Sequence, residues 1–428
     1  MMKRVVALVV VCLMCSFNAK SGMAGGDDSV NMLRKTVEEQ AKIIDELLIR
    51  VKALEENKFQ DVQALPSTVT SLGDISPNAT WAEKVKWKGD FRYRHELINN
   101  EHIRTATRNR HRIRARVGLD AKIHDELDFH FQLATGSDDP VSTNQTLDNY
   151  FTSKQINLDL AYIDWQPEYI LGWNTTGLHA MAGKMNNPFH KPIKTELIWD
   201  GDLRPEGGAL KYKRQCGLLG YFGSIGGFWL DERSTASDIS LWGFQGGVSH
   251  PIFNEDIKLV LGASYFDYMG VQRHSLFDNE PFGNSFITLL GRGDLYEHDY
   301  DLIEAFWEIH FSLFDMPVAV VGDYVSNVAT DHDRFGFLYG FRLNKAKKPG
   351  SWDFTYNYRK LDRDATFGAF TDSDFRGGGT DAKGHEISFG YMLAKNTKAA
   401  TTLFINRLGV DTSGHDYTKW QLDLNVKF

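Results

Sequence analysis

The chain is poor in cysteine, in proline and in long apolar runs, and each scarcity removes a class of fold or function. Of its 3 cysteines, Cys12 and Cys15 fall in an apolar stretch near the start, which leaves Cys216 by itself. A solitary cysteine makes no intramolecular disulfide and no cysteine-rich metal site. The 11 prolines against 38 glycines in 428 residues disfavour a disordered chain and suit extended strands joined by tight turns. Beyond the first apolar stretch, no segment reaches the roughly 20 apolar residues of a membrane-spanning helix. If this chain crosses a membrane, a closed barrel is the way left to it. Positive charge is not in excess either: the formal net charge of -8 offers no basic surface for nucleic acid.

What is present begins with an export pattern. Lys3 and Arg4 precede an apolar run from Val5 to Phe17, and Gly22 and Ala24 stand where a signal peptidase would read small residues. Residues 1–24 are therefore expected to be a cleaved signal peptide. Lipidation at Cys15 is disfavoured, because Met14 stands where a small residue is wanted. Residues 25–57 carry heptads over 30–57, with Val30, Val37, Ile44 and Val51 at one position and Leu33, Gln40, Leu47 and Leu54 at the other. Ile43 and Leu48 flank that seam and widen the apolar face, which suits three helices. The alternative is an amphipathic helix folded against the rest of the chain. Residues 58–83, with Pro66 and Pro77, read as a linker.

From residue 84 to the end the period changes to two. Val85, Trp87, Phe91, Tyr93 and Leu97 alternate with Lys86, Lys88, Asp90, Arg92, Arg94 and Glu96. Ile113, Ala115, Val117 and Leu119 alternate with Arg112, Arg114, Arg116 and Asp120. One face of each segment meets an apolar phase and the other meets water. About 16 such segments are predicted, from 84–98 to 417–428, each near the length of a tilted membrane strand. Long connections at 99–109, 136–155, 187–205, 269–300 and 362–383 alternate with tight turns such as His124-Asp125 and Lys395-Asn396. A soluble sandwich has no reason to alternate loop lengths, whereas an outer-membrane barrel does. The expected fold is all-β: a transmembrane antiparallel up-and-down barrel over 84–428, preceded by a short N-terminal coiled coil. The last segment, Trp420, Leu422, Leu424, Val426 and terminal Phe428, fits a signal read by the barrel-assembly machinery. Trp165, Tyr169, Trp173, Trp199, Trp307 and Trp352 fall near segment ends, as interfacial aromatic girdles would.

Several stretches resemble the "putative porin" family of bacterial outer-membrane proteins. They are Arg110-His-Arg-Ile-Arg-Ala-Arg-Val-Gly118, Gln132-Leu-Ala-Thr-Gly136, Leu160-Ala-Tyr-Ile-Asp164, Ala182-Gly-Lys-Met-Asn-Asn-Pro-Phe189 and Trp199-Asp-Gly-Asp-Leu203. The resemblance implies an outer-membrane channel for small hydrophilic solutes or ions, without naming a substrate. Coiled coils also precede some trimeric sixteen-stranded channels, so a homotrimer is expected, in contact with outer-membrane lipid and lipopolysaccharide.

In such a barrel, function depends on the lumen. With Ile113, Ala115 and Val117 toward lipid, Arg110, Arg112, Arg114 and Arg116 turn inward, and Arg92 and Arg94 join them from the neighbouring strand. Arginine facing lipid at mid-bilayer would cost about 2–4 kcal/mol. The third long connection holds Glu196, Asp200 and Asp202. By analogy with general porins it would fold inward and oppose the basic wall across a charged constriction. The bland alternative is that the arginines pair with Asp128, Asp423 and Glu96 on adjacent strands. The acidic runs Asp294 to Asp301 and Asp362 to Asp374 read as solvated loops rather than calcium sites, and no cofactor or metal is expected. No nucleophile and base stand in a recognisable motif, so an enzyme is not expected. The competing reading is an outer-membrane tether, or a substrate-specific gated channel, whose coiled coil engages the envelope.

Overall fold

The computed structural model describes residues 83–101, 106–234, 237–253, 256–412 and 414–428. The expected signal peptide, coiled coil and nearly all of the linker lie outside the described residues. The first eight barrel strands are β1 (Val85–Asn100), β2 (Arg108–His124), β3 (Leu127–Thr135), β4 (Ile156–Trp165), β5 (Leu178–Lys184), β6 (Glu206–Cys216), β7 (Leu219–Asp231) and β8 (Ile239–Ile252). The other eight are β9 (Ile257–Met269), β10 (Tyr300–Leu313), β11 (Met316–Asn327), β12 (Phe335–Leu343), β13 (Trp352–Leu361), β14 (Ala382–Ala394), β15 (Thr397–Leu408) and β16 (His415–Lys427). Each pairs antiparallel with the next, and β16 returns to β1, so the sheet closes without an edge. This is the all-β, sixteen-stranded barrel that the alternation predicts.

Loop lengths alternate as expected. Two-residue turns occupy 125–126, 217–218, 314–315 and 395–396, opposite long connections at 136–155, 185–205, 270–299 and 362–381. Phe314 and Asp315 both adopt left-handed backbone, with φ of 49° and 59°, the geometry of a two-residue hairpin turn. The connection 166–177 is longer than its class and carries a small hairpin of its own, Tyr169–Ile170 against Trp173–Asn174.

The outer surface is apolar and exposed, as shown by Phe91 and Tyr93 on β1, Val117 on β2, and Trp420, Leu422 and Leu424 on β16. Such a band would be a liability in water and is what the hydrocarbon core requires. The closing seam is held by the chain terminus. Gly89 and Phe428 exchange backbone hydrogen bonds of 3.0 Å each way. The Phe428 ring lies where a Cβ on residue 89 would be, so only glycine fits beneath it.

The interior is not uniformly aqueous. On the side of β7 to β13 it is packed like a globular core, with Phe189, Trp199, Phe228, Phe266, Tyr268, Phe367 and Phe370 in one cluster. The small inward residues of β7 to β9 make the room: Phe189 sits against Gly243, and Ser224 Oγ donates to the Pro188 carbonyl at 2.9 Å. Trp199, expected in a girdle, is 3% exposed inside the barrel, stacked on Phe189 and edge-on to Phe266. It lies on an inward-folded loop rather than at a strand end. The connection 362–381, expected to be solvated, is buried as well, with Asp364 1% and Asp372 5% exposed.

Candidate functional site

Facing that apolar side, the walls of β1, β2 and β16 carry charge. Register sets the ladder: Asp90 opposes Arg116, Arg92 opposes Arg114, Arg94 opposes Arg112 and Glu96 opposes Arg110. Across the seam, Arg94 opposes Asp423 and Ile98 opposes Lys419. Because side chains alternate, all the polar members of these pairs project inward together. Arg94 grips Asp423 with Nε and Nη2 at 2.7 and 2.8 Å, and donates from Nη1 to Asp374 at 2.7 Å. Arg110 Nε reaches Glu96 at 2.6 Å, and Lys419 Nζ reaches Asp374 at 2.6 Å. Asp90 accepts from Arg114 at 2.8 Å and from Arg116 at 2.7 Å. Glu96 and Lys419 are almost wholly buried, so these are desolvated charges held by paired, charge-assisted bonds.

The connection 185–205 crosses the bore. At one end Asp202 lies 3.4 Å from Arg116 and 3.8 Å from Arg114, and it accepts from the Thr143 hydroxyl at 3.0 Å. In its middle, Ile193 N donates to Glu308 at 3.2 Å, while His190 and His310 each lie 2.5 Å from a carboxylate oxygen of Glu308. Between these, Arg359 of β13 donates to the Glu196 carbonyl at 3.1 Å. Of the three acids expected on this loop, Asp202 alone meets the arginines. Glu196 and Asp200 turn away and meet Asp372 of the connection 362–381, their oxygens all within 4.8 Å of one another. Three such oxygens could hold a divalent cation, but Arg359 already supplies a cation 2.8 Å from Asp372. Of the expected strand partners, Glu96 and Asp423 pair with arginine, whereas Asp128 accepts from Gln166 instead.

The loop acids divide by environment. Although burial opposes it, Arg114 and Arg116 keep the Asp202 carboxyl below its ordinary range. Arg94 and Lys419, again against burial, hold Asp374 well below. Burial, with Asp372 and Asp202 nearby, pushes Asp200 up to about 8. Burial, Asp200 and Asp372 likewise raise Glu196. A raised carboxyl favours the folded arrangement at low pH and loses that contribution as pH rises through the folded value. The contact between 185–205 and 362–381 is therefore expected to loosen as pH approaches and passes about 8. Current noise in single-channel records should grow over that window, and the step should vanish in Asp200→Asn. Records that are equally quiet from pH 6 to 9 would contradict this assignment.

Two cavities flank the ridge formed by Ser137 to Asp139 and by Phe277 and Asp278, with volumes of about 710 and 1010 Å³. The smaller is lined by Asp202, Arg204 and the aromatic cluster, the larger by Arg110, Arg112, Arg376 and Lys419. Asp90, Asp374 and Lys419 escaped the sequence reading of this site. Asp90 gave a signal, since it shares the alternating face of Arg92 and Arg94, and so did Lys419, which shares that of Gln421 and Asp423; Asp374 gave none.

The profile of the family described as "Putative porin" matches residues 98–280 and 309–428. No curated protein matches the sequence. Among solved structures, OprB of Pseudomonas putida is similar at 12% identity and a TM-score of 0.54, covering 81% of this chain and 95% of its own. OmpF of Salmonella typhi, solved in complex with daunomycin, is similar at 13% identity and a TM-score of 0.50, covering 80% of this chain and 97% of its own. At these identities the likeness concerns the fold.

Proposed function

The chain belongs to the "Putative porin" family, and on that premise we propose that it is an outer-membrane channel whose solutes pass a charged constriction. The observation carrying the reading is the loop 185–205, which spans the bore and sets Asp202 against Arg114 and Arg116. Arg92, Arg94, Arg110, Arg112, Arg114 and Arg116 form the basic side, and Glu196, Asp200 and Asp202 belong to the constricting loop. Small hydrophilic solutes and ions diffuse through without cofactor or chemical step, and charge near the narrowest point selects among them. The mature protein begins after Ala24, is inserted by the barrel-assembly machinery through the Phe428 strand, and sits in lipid and lipopolysaccharide as a homotrimer. Support for association comes from the outer face of β1 and β2, where His95 and His111 touch beside Tyr93, ring centroids 4.6 Å apart. A polar pair there is better matched by a protein neighbour than by acyl chains.

The aromatic packing of half the interior favours one second reading, a narrow substrate-specific channel whose coiled coil engages the envelope. Planar-bilayer recording of the signal-free protein under a salt gradient separates the two. Steady open steps in simple salt support the general channel, and the sign of the reversal potential reports which charge dominates. Silence from folded, heat-modifiable protein would overturn the general channel in favour of the second reading.

A further inference from the structure

The basic wall is not evenly neutralised. Arg94, Arg110, Arg114 and Arg116 each pair with a carboxylate, and so does Lys419. Arg92 and Arg112 have no such partner among the described residues. They are diagonal neighbours on the inner face of β1 and β2, and both guanidinium groups converge on one residue of the connection 136–155. Arg92 Nη2 donates to Asn144 Oδ1, and Arg112 Nη2 donates to the Asn144 carbonyl at 3.1 Å and to Ser142 Oγ at 3.3 Å. The Nε atoms of both arginines are buried without a hydrogen-bond acceptor. Two guanidinium groups brought together in a confined interior repel each other, and their empty N–H donors are costly unless something accepts from them. Glu96 and Asp423 of the wall and Asp374 of the connection 362–381 are already engaged by Arg110, Arg94 and Lys419.

We propose that Arg92 and Arg112 form a discrete oxyanion site, which takes a carboxylate or phosphate group of a permeant solute. This rests on the channel reading above and goes beyond it, because a diffuse positive wall needs no particular donors whereas a site does. Planar, forked donors are what a carboxylate or phosphate accepts from. Arg112 also lines the cavity of about 1010 Å³ together with Ser142, Thr371 and Ser373, so the bound solute can be much larger than an inorganic ion. Asp138, Asp139, Asp278 and Glu280 line the same cavity. Arg110, Arg376 and Lys419 line it too, so the rest of the solute meets mixed charge, which suits a hydroxylated or otherwise polar remainder.

Sodium gluconate and inorganic phosphate at pH 6 are the probes, each added to single channels carrying chloride current. Saturable block is expected in the intact protein. The pair Arg92→Lys with Arg112→Lys keeps the charge but removes the fork and the Nε donor. It is expected to raise the half-blocking concentration about tenfold or more, the loss of two charge-assisted bonds. Block by gluconate with none by phosphate assigns the site to carboxylates, and the converse assigns it to phosphates. Equal block in the lysine pair, or no block in a conducting intact channel, overturns the site and leaves the channel reading standing. A silent intact protein overturns the general-channel reading instead. The site is then judged by the thermal midpoint of the detergent-folded protein. A gluconate-dependent rise present in the intact chain and lost in the lysine pair upholds it; no rise removes it.

Discussion

Channels in which a short Gly-Ser linker replaces residues 187–203 are expected to conduct severalfold better than the intact protein. The loop reaches from Arg116 on β2, through Asp202 at 3.4 Å, to Arg359 on β13, which donates to the Glu196 carbonyl at 3.1 Å. It therefore obstructs the bore from wall to wall, and the narrowest cross-section dominates the resistance of a pore. The strand ladder does not depend on the loop, since every barrel strand pairs with its two neighbours. Arg114 and Arg116 also retain Asp90. Excision removes Asp202 from beside these arginines, so the reversal potential should shift toward anions along with the rise in conductance. Single-channel recording measures both. Unchanged conductance in folded protein would put the narrowest point elsewhere, with the connection 362–381 as the next candidate.

The second large effect concerns stability. Arg359 is 2% exposed and holds Asp372 at 2.8 Å and Glu386 at 2.6 Å, while its guanidinium lies 4.3 Å from the centre of the Phe375 ring. Removing one partner of a buried ion pair leaves the other charge uncompensated and typically costs about 3–5 kcal/mol. Arg359→Met should lower the unfolding midpoint of the detergent-solubilised barrel markedly, read from its heat-modified mobility on gels. Adding Asp372→Asn and Glu386→Gln should recover most of the loss, because no buried charge then stands alone. If the single and triple variants unfold together, the pairing is not what Arg359 contributes.

The constricting loop and the buried arginine also show how much could be read from the sequence alone. The barrel was legible because its signal is local: Trp420, Leu422 and Leu424 alternate with Gln421 and Asp423 within one strand. The inward arginines were legible for the same reason, since period-two alternation and the cost of arginine in lipid leave one assignment. Their partners were not. Arg94 meets Asp374 across 280 positions of sequence, and Arg116 meets Asp202 across 86; only closure of the sheet brings them together. The inward fold of 362–381 did leave a trace, because Phe367-Gly-Ala-Phe370 is too apolar for a loop in water. Gly243, which lies under the Phe189 ring, was a second trace. On an inward face, such small residues mark where another segment packs.

The inward loops also bear on how quickly the protein can reach its final form. Asp202 ties a central segment to β2, the Glu196 carbonyl ties it to β13, and Asp374 joins the third-last connection to β1 and β16. The bonds of Asp374 to β1 and β16 together cannot form until the last strand has been added. Chains dominated by contacts distant in sequence fold slowly, and here the most distant ones lie behind a wall that must close around them. Ring closure at Gly89 and Phe428 and the seating of the loops therefore belong to one late event. Until the two loops are seated, Trp199, Phe367 and Phe370 lack their packing against Tyr268, and the half-made barrel carries a greasy interior as well as a greasy exterior.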